Sequence, residues 1–380
     1  MIPYGRQDIN QDDIDAVIEV LKSDWLTQGP KVQDFELKVA QHCNVEHAIA
    51  CNSATSALHI ACLALEIGPD DIVWTSPVSF VASSNCALYC GASIDFVDID
   101  TQTGNMSIQA LTKKLEQSKS ENKLPKAIIP VHLAGQPCDM YEIAELSKKY
   151  GFKVIEDASH AIGANYKGEP VGNCKYSDIC VFSFHPVKIV TSAEGGMLTT
   201  KHGQLAHRAK SFRSHGITSD PKELVQQSHG PWYYEQQSLG FNYRLTDIQA
   251  ALGLSQMSRL EDFVTRRNQL AEIYSDNLPK QLCHLTRLSN RRSSYHLYIV
   301  LLPEGLDQKY VVTHLRDKGV FAHVHYIPIH LQPFYQSLGF KKGDFPNAEA
   351  YYKRAITLPL HPNLTTQDIA YISSILSELL

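Results

Sequence analysis

The sequence predicts an α/β fold, with a mostly parallel sheet sandwiched by helices and a smaller C-terminal α+β domain. Apolar strand candidates recur at 47–51, 72–75, 94–97, 127–131, 154–156 and 179–184. Helical patterns lie between several of them, such as Met140, Ile143, Ala144 and Leu146. That alternation predicts parallel strands covered on both faces. The 380 residues exceed one ordinary core. The pattern changes near residue 246, so we divide the chain into a large domain, 1–250, and a small one, 251–380.

In chain order, Asp12 and Asp13 open a helix with Ile14, Val17, Ile18 and Leu21 on one face. It runs into a loop at Leu26, Thr27, Gln28, Gly29 and Pro30. After the first strand, Asn52 and Ser53 start a helix carrying Leu58, Cys62 and Leu65 on one face. Beyond the sheet, a long helical stretch carries Ile248, Ala251, Leu252, Met257, Leu260, Val264 and Leu270. A strand at 296–302, a helix at 308–317 and a strand at 321–326 complete the small domain's pattern. In open α/β sheets, ligands gather at the carboxyl ends of the strands. Asn52 to Ser56, Asp157, and Phe184 to Lys188 all fall there.

Composition narrows the function. Hydrophobic residues make up 43% and charged residues 20%, as in globular rather than disordered chains. The formal net charge is −5 with no basic block, so nucleic acid has no electrostatic foothold. No apolar run is long enough to span a bilayer, and the first residues lack a signal-peptide pattern. Nine scattered cysteines without a CxxC pair point to reduced thiols and a cytoplasmic setting. No GxGxxG, GxxxxGK[ST] or HExxH motif occurs.

The chemistry centres on Lys188, which stands in an apolar stretch. Lysine is rarely buried without a reason. Desolvation lowers its pKa and frees a nucleophilic amine. Asp157 closes a strand 31 positions earlier (188 − 157). Pyridoxal phosphate (PLP) needs these two protein groups: a lysine for its aldehyde carbon and a carboxylate for its pyridine nitrogen. Thr55 and Ser56, at a helix start, and Ser183 would hold a phosphate. Phe80 would stack on the ring, and His160 would reach its 3-oxygen. Each window also has a plain structural reading. Lys188 would serve as a snorkelling surface lysine, Ser and Thr as helix caps, and Phe80 and His160 as core residues. His323 and His325, with His330, would either bind a metal, as in a hydrolase, or form a polar substrate-facing edge.

Taken together, the windows resemble the DegT/DnrJ nucleotide-sugar aminotransferases, PLP enzymes of the aspartate-aminotransferase fold (type I). The resemblance rests on Asn52 to Leu58, Pro77 to Ala82, Glu156 to Ala161, Phe182 to Lys188 and Glu194 to Gly196. It continues through Arg213 to Gly216, Leu239 to Asp247 and Leu358 to Pro362. It implies Lys188 and Asp157 as catalytic residues and places Thr55, Ser56, Phe80, His160, Ser183 and Asn242 around PLP. Asn242 would come from a partner subunit, so the resemblance implies a homodimer with shared sites. Within the family, Ile2 to Gly5, Trp25 to Pro30 and His325 to Pro333 resemble a narrower branch. Those members serve pseudaminic acid biosynthesis and aminate C4 of a UDP-linked 4-keto-6-deoxy-N-acetyl sugar, with L-glutamate as donor. Tyr4, Leu26, Thr27, Gln28, Gly29, His323, Val324, His325 and Tyr326 would line the sugar-nucleotide site. Some family members are dehydratases that carry histidine in place of that lysine; Lys188 favours transamination. Two positions depart from the family pattern. Many relatives carry glutamine at His160 and glycine at Ala193. Another UDP- or dTDP-keto sugar, and a non-catalytic PLP-binding regulator, remain alternative readings.

Overall fold

A computed structural model describes residues 1–380. Its centre is a seven-stranded sheet built from β1 (His47–Cys51), β2 (Ile72–Thr75), β3 (Ser93–Phe96), β4 (Ala127–Ile129), β5 (Lys153–Asp157), β6 (Ile179–Ser183) and β7 (Gly196–Thr200). The spatial order is β1-β7-β6-β5-β4-β2-β3. Only β7 runs antiparallel, between β1 and β6. Alternate residues feed the two faces. Ile49, Ile155, Ile179, Val181 and Leu198 enter one core, and Ala48, Ala50, Cys180, Phe182 and Met197 enter another. Burial on both faces explains why these strands are apolar throughout. The carboxyl ends of β1, β5 and β6 meet the start of β7 at one edge.

The small domain is a three-stranded antiparallel sheet, Cys283–His284, Tyr298–Leu301 and Ala355–Leu358, packed with helices Gln308–Asp317 and Thr366–Leu379. Helix Leu260–Asn277 passes through both cores. Leu260, Phe263 and Val264 belong to the large-domain core, and Leu270, Ala271 and Tyr274 to the small one. Buried Arg267 lies between them and donates from Nη1 to the carbonyls of Tyr295, His296 and Leu360. The N-terminus also joins the small domain, where Ile2 bridges to Val320.

Two sequence expectations need correction, and one helix packs in a way that its periodicity does not show. The long helical stretch is two helices, Asp247–Met257 and Leu260–Asn277. The strand expected at 321–326 reduces to a single bridge, His323 to Thr357. There His325 Nδ1 meets Thr357 Oγ1 at 2.9 Å, and the chain then leaves the sheet. In helix Gln11–Leu21 the apolar row does not face the core. Ile14 is 44%, Ile18 38% and Leu21 56% exposed, while Asp13 is buried. Asp13 caps its own helix and accepts from Ser255 Oγ (2.6 Å), Gln256 Nε2 (2.6 Å) and Arg259 Nη2 (2.5 Å). A buried carboxylate with this many donors is stable where an unpaired one would not be.

Candidate active site

The sheet edge opens into a cavity of about 430 Å³. Among its walls are Ser53, Thr55, Phe80, Asp157, His160, Ser183 and Lys188 from the large domain, with Tyr4 from the N-terminal segment and His323, His325 and Tyr326 from the small one. Thus ten of the predicted residues share one space. Lys188 sits on the loop after β6. Phe184 pins that loop: its N–H donates to Gly195 O (2.9 Å), and its carbonyl accepts from Ser192 N and Thr191 Oγ1 (both 3.0 Å). Ala193 closes the turn at φ +66°, so alanine holds the left-handed conformation that glycine would adopt freely. Burial pushes the Lys188 ammonium down to about 8, and the Asp157 charge opposes part of that shift.

Asp157 ends β5 and is 4% exposed. Its Oδ2 accepts from Ser83 Oγ at 2.6 Å, and its Oδ1 accepts from Ser159 N at 3.1 Å. Ser83 in turn meets Ser79 Oγ at 2.6 Å. Glu156, one residue earlier, points to the opposite face and pairs with buried His132 at 2.8 Å. The sequence reading missed Ser83 and Ser79. Ser83 lies in the first turn of helix Ala82–Tyr89 and Ser79 in the bend before it, so no local pattern joins them.

At the end of β1, Ser53 caps helix Ala54–Ala64 and accepts from Ser56 N at 3.1 Å. Ser56 donates its hydroxyl to Asn52 Oδ1 at 2.6 Å, which turns it into the cap. Ser53 and Thr55 therefore border the cavity, beside Ser183. A Cβ on Gly196 would overlap the Ser53 carbonyl and the Ala54 nitrogen, so β7 and the helix start touch through backbone alone. Gly196→Ala is expected to push the helix start outward and destabilise the fold by about 1–3 kcal/mol, the usual cost of overpacking. A thermal melt with a PLP titration checks this; PLP affinity should fall at least about tenfold, the effect of roughly 1.4 kcal/mol.

The buried His160 ring makes one hydrogen bond, Nε2 to Tyr326 Oη at 3.0 Å, and its Nδ1 has no partner; the His160 carbonyl accepts from Ser294 Oγ at 2.8 Å. Burial, then Lys188, His325 and His132, hold it well below the usual histidine range, so its ring is neutral. His325 is likewise neutral, driven down to about 3 by burial, with His323 and Lys188 adding to it. The Tyr4 ring lies 5.4 Å from His323 and 5.3 Å from His325, which gives the cavity an aromatic wall. His330 is turned away, with Nε2 on Glu349 at 3.0 Å. No three His, Cys, Asp or Glu side chains gather as a metal cluster.

The other predicted residues lie elsewhere in the chain. Thr27 bridges to Thr246, and Gly29 N donates to Asp247 Oδ2 at 2.7 Å. Gln28 and Gly29 border a separate hollow with Arg213 and Arg244. Leu26 is exposed, as is Asn242, which bridges to Ser214. Val324 N folds back onto its neighbour, donating to His323 Nδ1 at 2.8 Å.

PLP fits the cavity on two observations: a desolvated lysine amine and a carboxylate held by two donors. Comparison with known proteins agrees. SpsC, a spore coat polysaccharide biosynthesis protein of Bacillus subtilis, is 38% identical over 376 residues, covering 97% of this chain and 94% of its own. The UDP-4-amino-4,6-dideoxy-N-acetyl-beta-L-altrosamine transaminase of Campylobacter jejuni (serotype O:2) is 38% identical over 384 residues, covering 100% and 98%. Among solved structures, Helicobacter pylori PseC, an aminotransferase of pseudaminic acid biosynthesis, superposes with TM-score 0.90 at 32% identity, covering 100% and 98%. The PLP form of the sugar aminotransferase Spr1654 from Streptococcus pneumoniae superposes at 0.89 and 29%, covering 100% and 99%. Residues 7–377 match the DegT/DnrJ/EryC1/StrS aminotransferase family, and the chain belongs to it, with pyridoxal phosphate as its cofactor.

Proposed function

We propose that this enzyme transfers an amino group from L-glutamate to C4 of a UDP-linked 4-keto-6-deoxy-N-acetyl sugar, in the cytoplasm. The single observation that carries the chemistry is the desolvated Lys188 amine sharing a cavity with Asp157. The named activity of the Campylobacter relative supports the substrate, as does the likeness to PseC. The Tyr4, His323, His325 and Tyr326 wall suits the neutral, hydroxyl-rich face of a sugar.

When bound, PLP supplies an electron sink for the carbon that loses its proton. Lys188 would hold the cofactor and, once freed by the amino donor, would carry the proton that leaves the donor's α-carbon. Asp157 would accept from the pyridinium N–H and favour that protonated state by charge. Thr55, Ser183 and the first N–H groups of helix Ala54–Ala64 would hold the phosphate. Phe80 would cover the ring face. The two substrates use one site in turn, a ping-pong sequence.

A homodimer completes this reading. The exposed row Ile14, Ile18 and Leu21 has no cover within one chain and leads directly into Trp25 and Leu26. In this reading a second copy covers that row, and its Leu26 to Gly29 and Asn242 complete the site. Sedimentation should give twice the 42.5 kDa chain mass. A monomer active at full rate would remove the shared-site part.

The visible spectrum of the holoenzyme tests the chemistry. L-glutamate should bleach the cofactor band, and the UDP-4-keto sugar should restore it. A protein that binds no PLP when supplied with it defeats the reading. SpsC is as similar as the Campylobacter relative, so a different keto sugar is the second reading. Recovery of the band with a dTDP-keto sugar alone would select it.

A further inference from the structure

A second space, a groove of about 570 Å³, opens beside the cavity. The two share the start of helix Ala82–Tyr89: Phe80 and Ala82 border the cavity, and Val81 and Asn85 border the groove. The helix carries the groove about 10 Å onward to Tyr89. Its other wall, Gln332 to Tyr335, follows Tyr326 of the cavity wall in the chain. No charged side chain lines the groove. Tyr89 and Phe334 are 55% and 57% exposed, so aromatic surface lies open there. Two amides stand among these rings. The Gln332 side chain and Asn85 Nδ2 have no partner in the chain and are not shielded from solvent. Asn85 Oδ1 accepts from Tyr335 Oη at 2.5 Å. That length fits an O–H···O bond and is too short for N–H···O. Tyr335 therefore holds the amide oxygen and leaves the NH₂ as the open group.

We infer that this groove is a nucleobase subsite, in which Phe334 and Tyr89 offer stacking faces and Asn85 donates to a carbonyl of uracil. This rests on the proposed nucleotide-sugar substrate. Of that substrate's three parts, only the base is planar, aromatic and uncharged, as the walls require. The diphosphate that joins base to sugar would cross the helix start between the two spaces. There the Val81 and Ala82 N–H groups have no acceptor within the chain, and such a start suits an anion. The fixed NH₂ also sets a preference among bases. Uracil, like thymine, presents a carbonyl oxygen where cytosine presents an amine. A donor facing that edge accepts the first two and opposes the third.

Calorimetric titration of the PLP-loaded enzyme with UDP and with CDP tests this. UDP should bind more tightly than CDP. Phe334→Ala, an exposed position where the fold is not at stake, should weaken UDP by about five- to 100-fold, the range for one stacked base. Asn85→Asp keeps an oxygen for Tyr335 and puts an acceptor where the NH₂ stood, so it should turn the UDP-to-CDP affinity ratio toward CDP by at least about tenfold. Both ligands carry the same diphosphate, so the added negative charge cancels in that ratio. Unchanged UDP affinity in Phe334→Ala, or an unchanged ratio in Asn85→Asp, overturns the inference. A fall in sedimenting mass in Phe334→Ala with UDP affinity kept would assign the groove to a second copy of the chain and overturns it too. Wild-type enzyme that binds neither nucleotide is a different result: it strikes the nucleotide-sugar reading itself, and the inference with it.

Discussion

Lys188→Ala is expected to lower turnover by at least about 10³-fold, since in the proposed mechanism it removes both the cofactor's anchor and the proton carrier. Lys188→Met, which keeps the volume and drops the charge, is expected to stabilise the apoprotein at neutral pH. The folded-state pKa is about 8 against the usual 10.5. Between those values the unfolded chain binds a proton that the folded chain does not. Stability of the wild-type apoprotein therefore falls as pH drops from 10.5 to 8, and the penalty is complete below 8. Melting temperatures of the two apoproteins should differ most at pH 7 and converge above pH 10.5. The same shift sets how fast PLP attaches. About a tenth of Lys188 amines are neutral at pH 7, against fewer than about one in a thousand for an ordinary lysine. The attachment rate should rise with pH and level off above about 8. A Lys188→Ala protein that turns over at the wild-type rate would defeat the assignment.

These expectations were reachable from sequence because the groups sit beside strand ends. Asp157, Ser183 and Thr55 each follow an apolar run or lie within a few residues of one, and such runs end at the same sheet edge. The antiparallel β7 was not legible. Its Thr199 and Thr200 look polar, yet both are buried with satisfied hydroxyls: Thr199 Oγ1 donates to Gly172 O at 2.8 Å and Thr200 Oγ1 to Asp178 O at 2.7 Å. Local pattern carries no trace of such distant acceptors. The packing of helix Gln11–Leu21 was not legible for a related reason. Periodicity identifies the apolar face but not what covers each face, and Asp13 finds Arg259, which lies 246 positions away. Tyr326 was legible as a cavity residue, whereas its bond to His160, 166 positions away, needed the fold.

Asp157→Asn is expected to cost about 10²- to 10³-fold in turnover, comparable to losing one preorganised electrostatic group in a closed site. The carboxylate is held by two donors, Ser83 Oγ and Ser159 N. Ser159 N requires an acceptor at Asp157, whereas the Ser83 hydroxyl can turn to accept from an amide NH₂ and donate to Ser79. Asparagine can therefore keep both supports, but it carries no charge to favour the protonated ring nitrogen, and an NH₂ turned toward that nitrogen would present a donor where an N–H must be accepted. Ser83→Ala removes one support and leaves the charge, so it should cost about three- to tenfold, the effect of one hydrogen bond. Because the ring nitrogen is the same with either substrate, Asp157→Asn should slow the glutamate and keto-sugar half-reactions alike. Single-turnover traces of the cofactor band measure each half separately. Slowing of only one half would assign Asp157 to a substrate rather than to the ring, and wild-type rates in both would remove it from the mechanism.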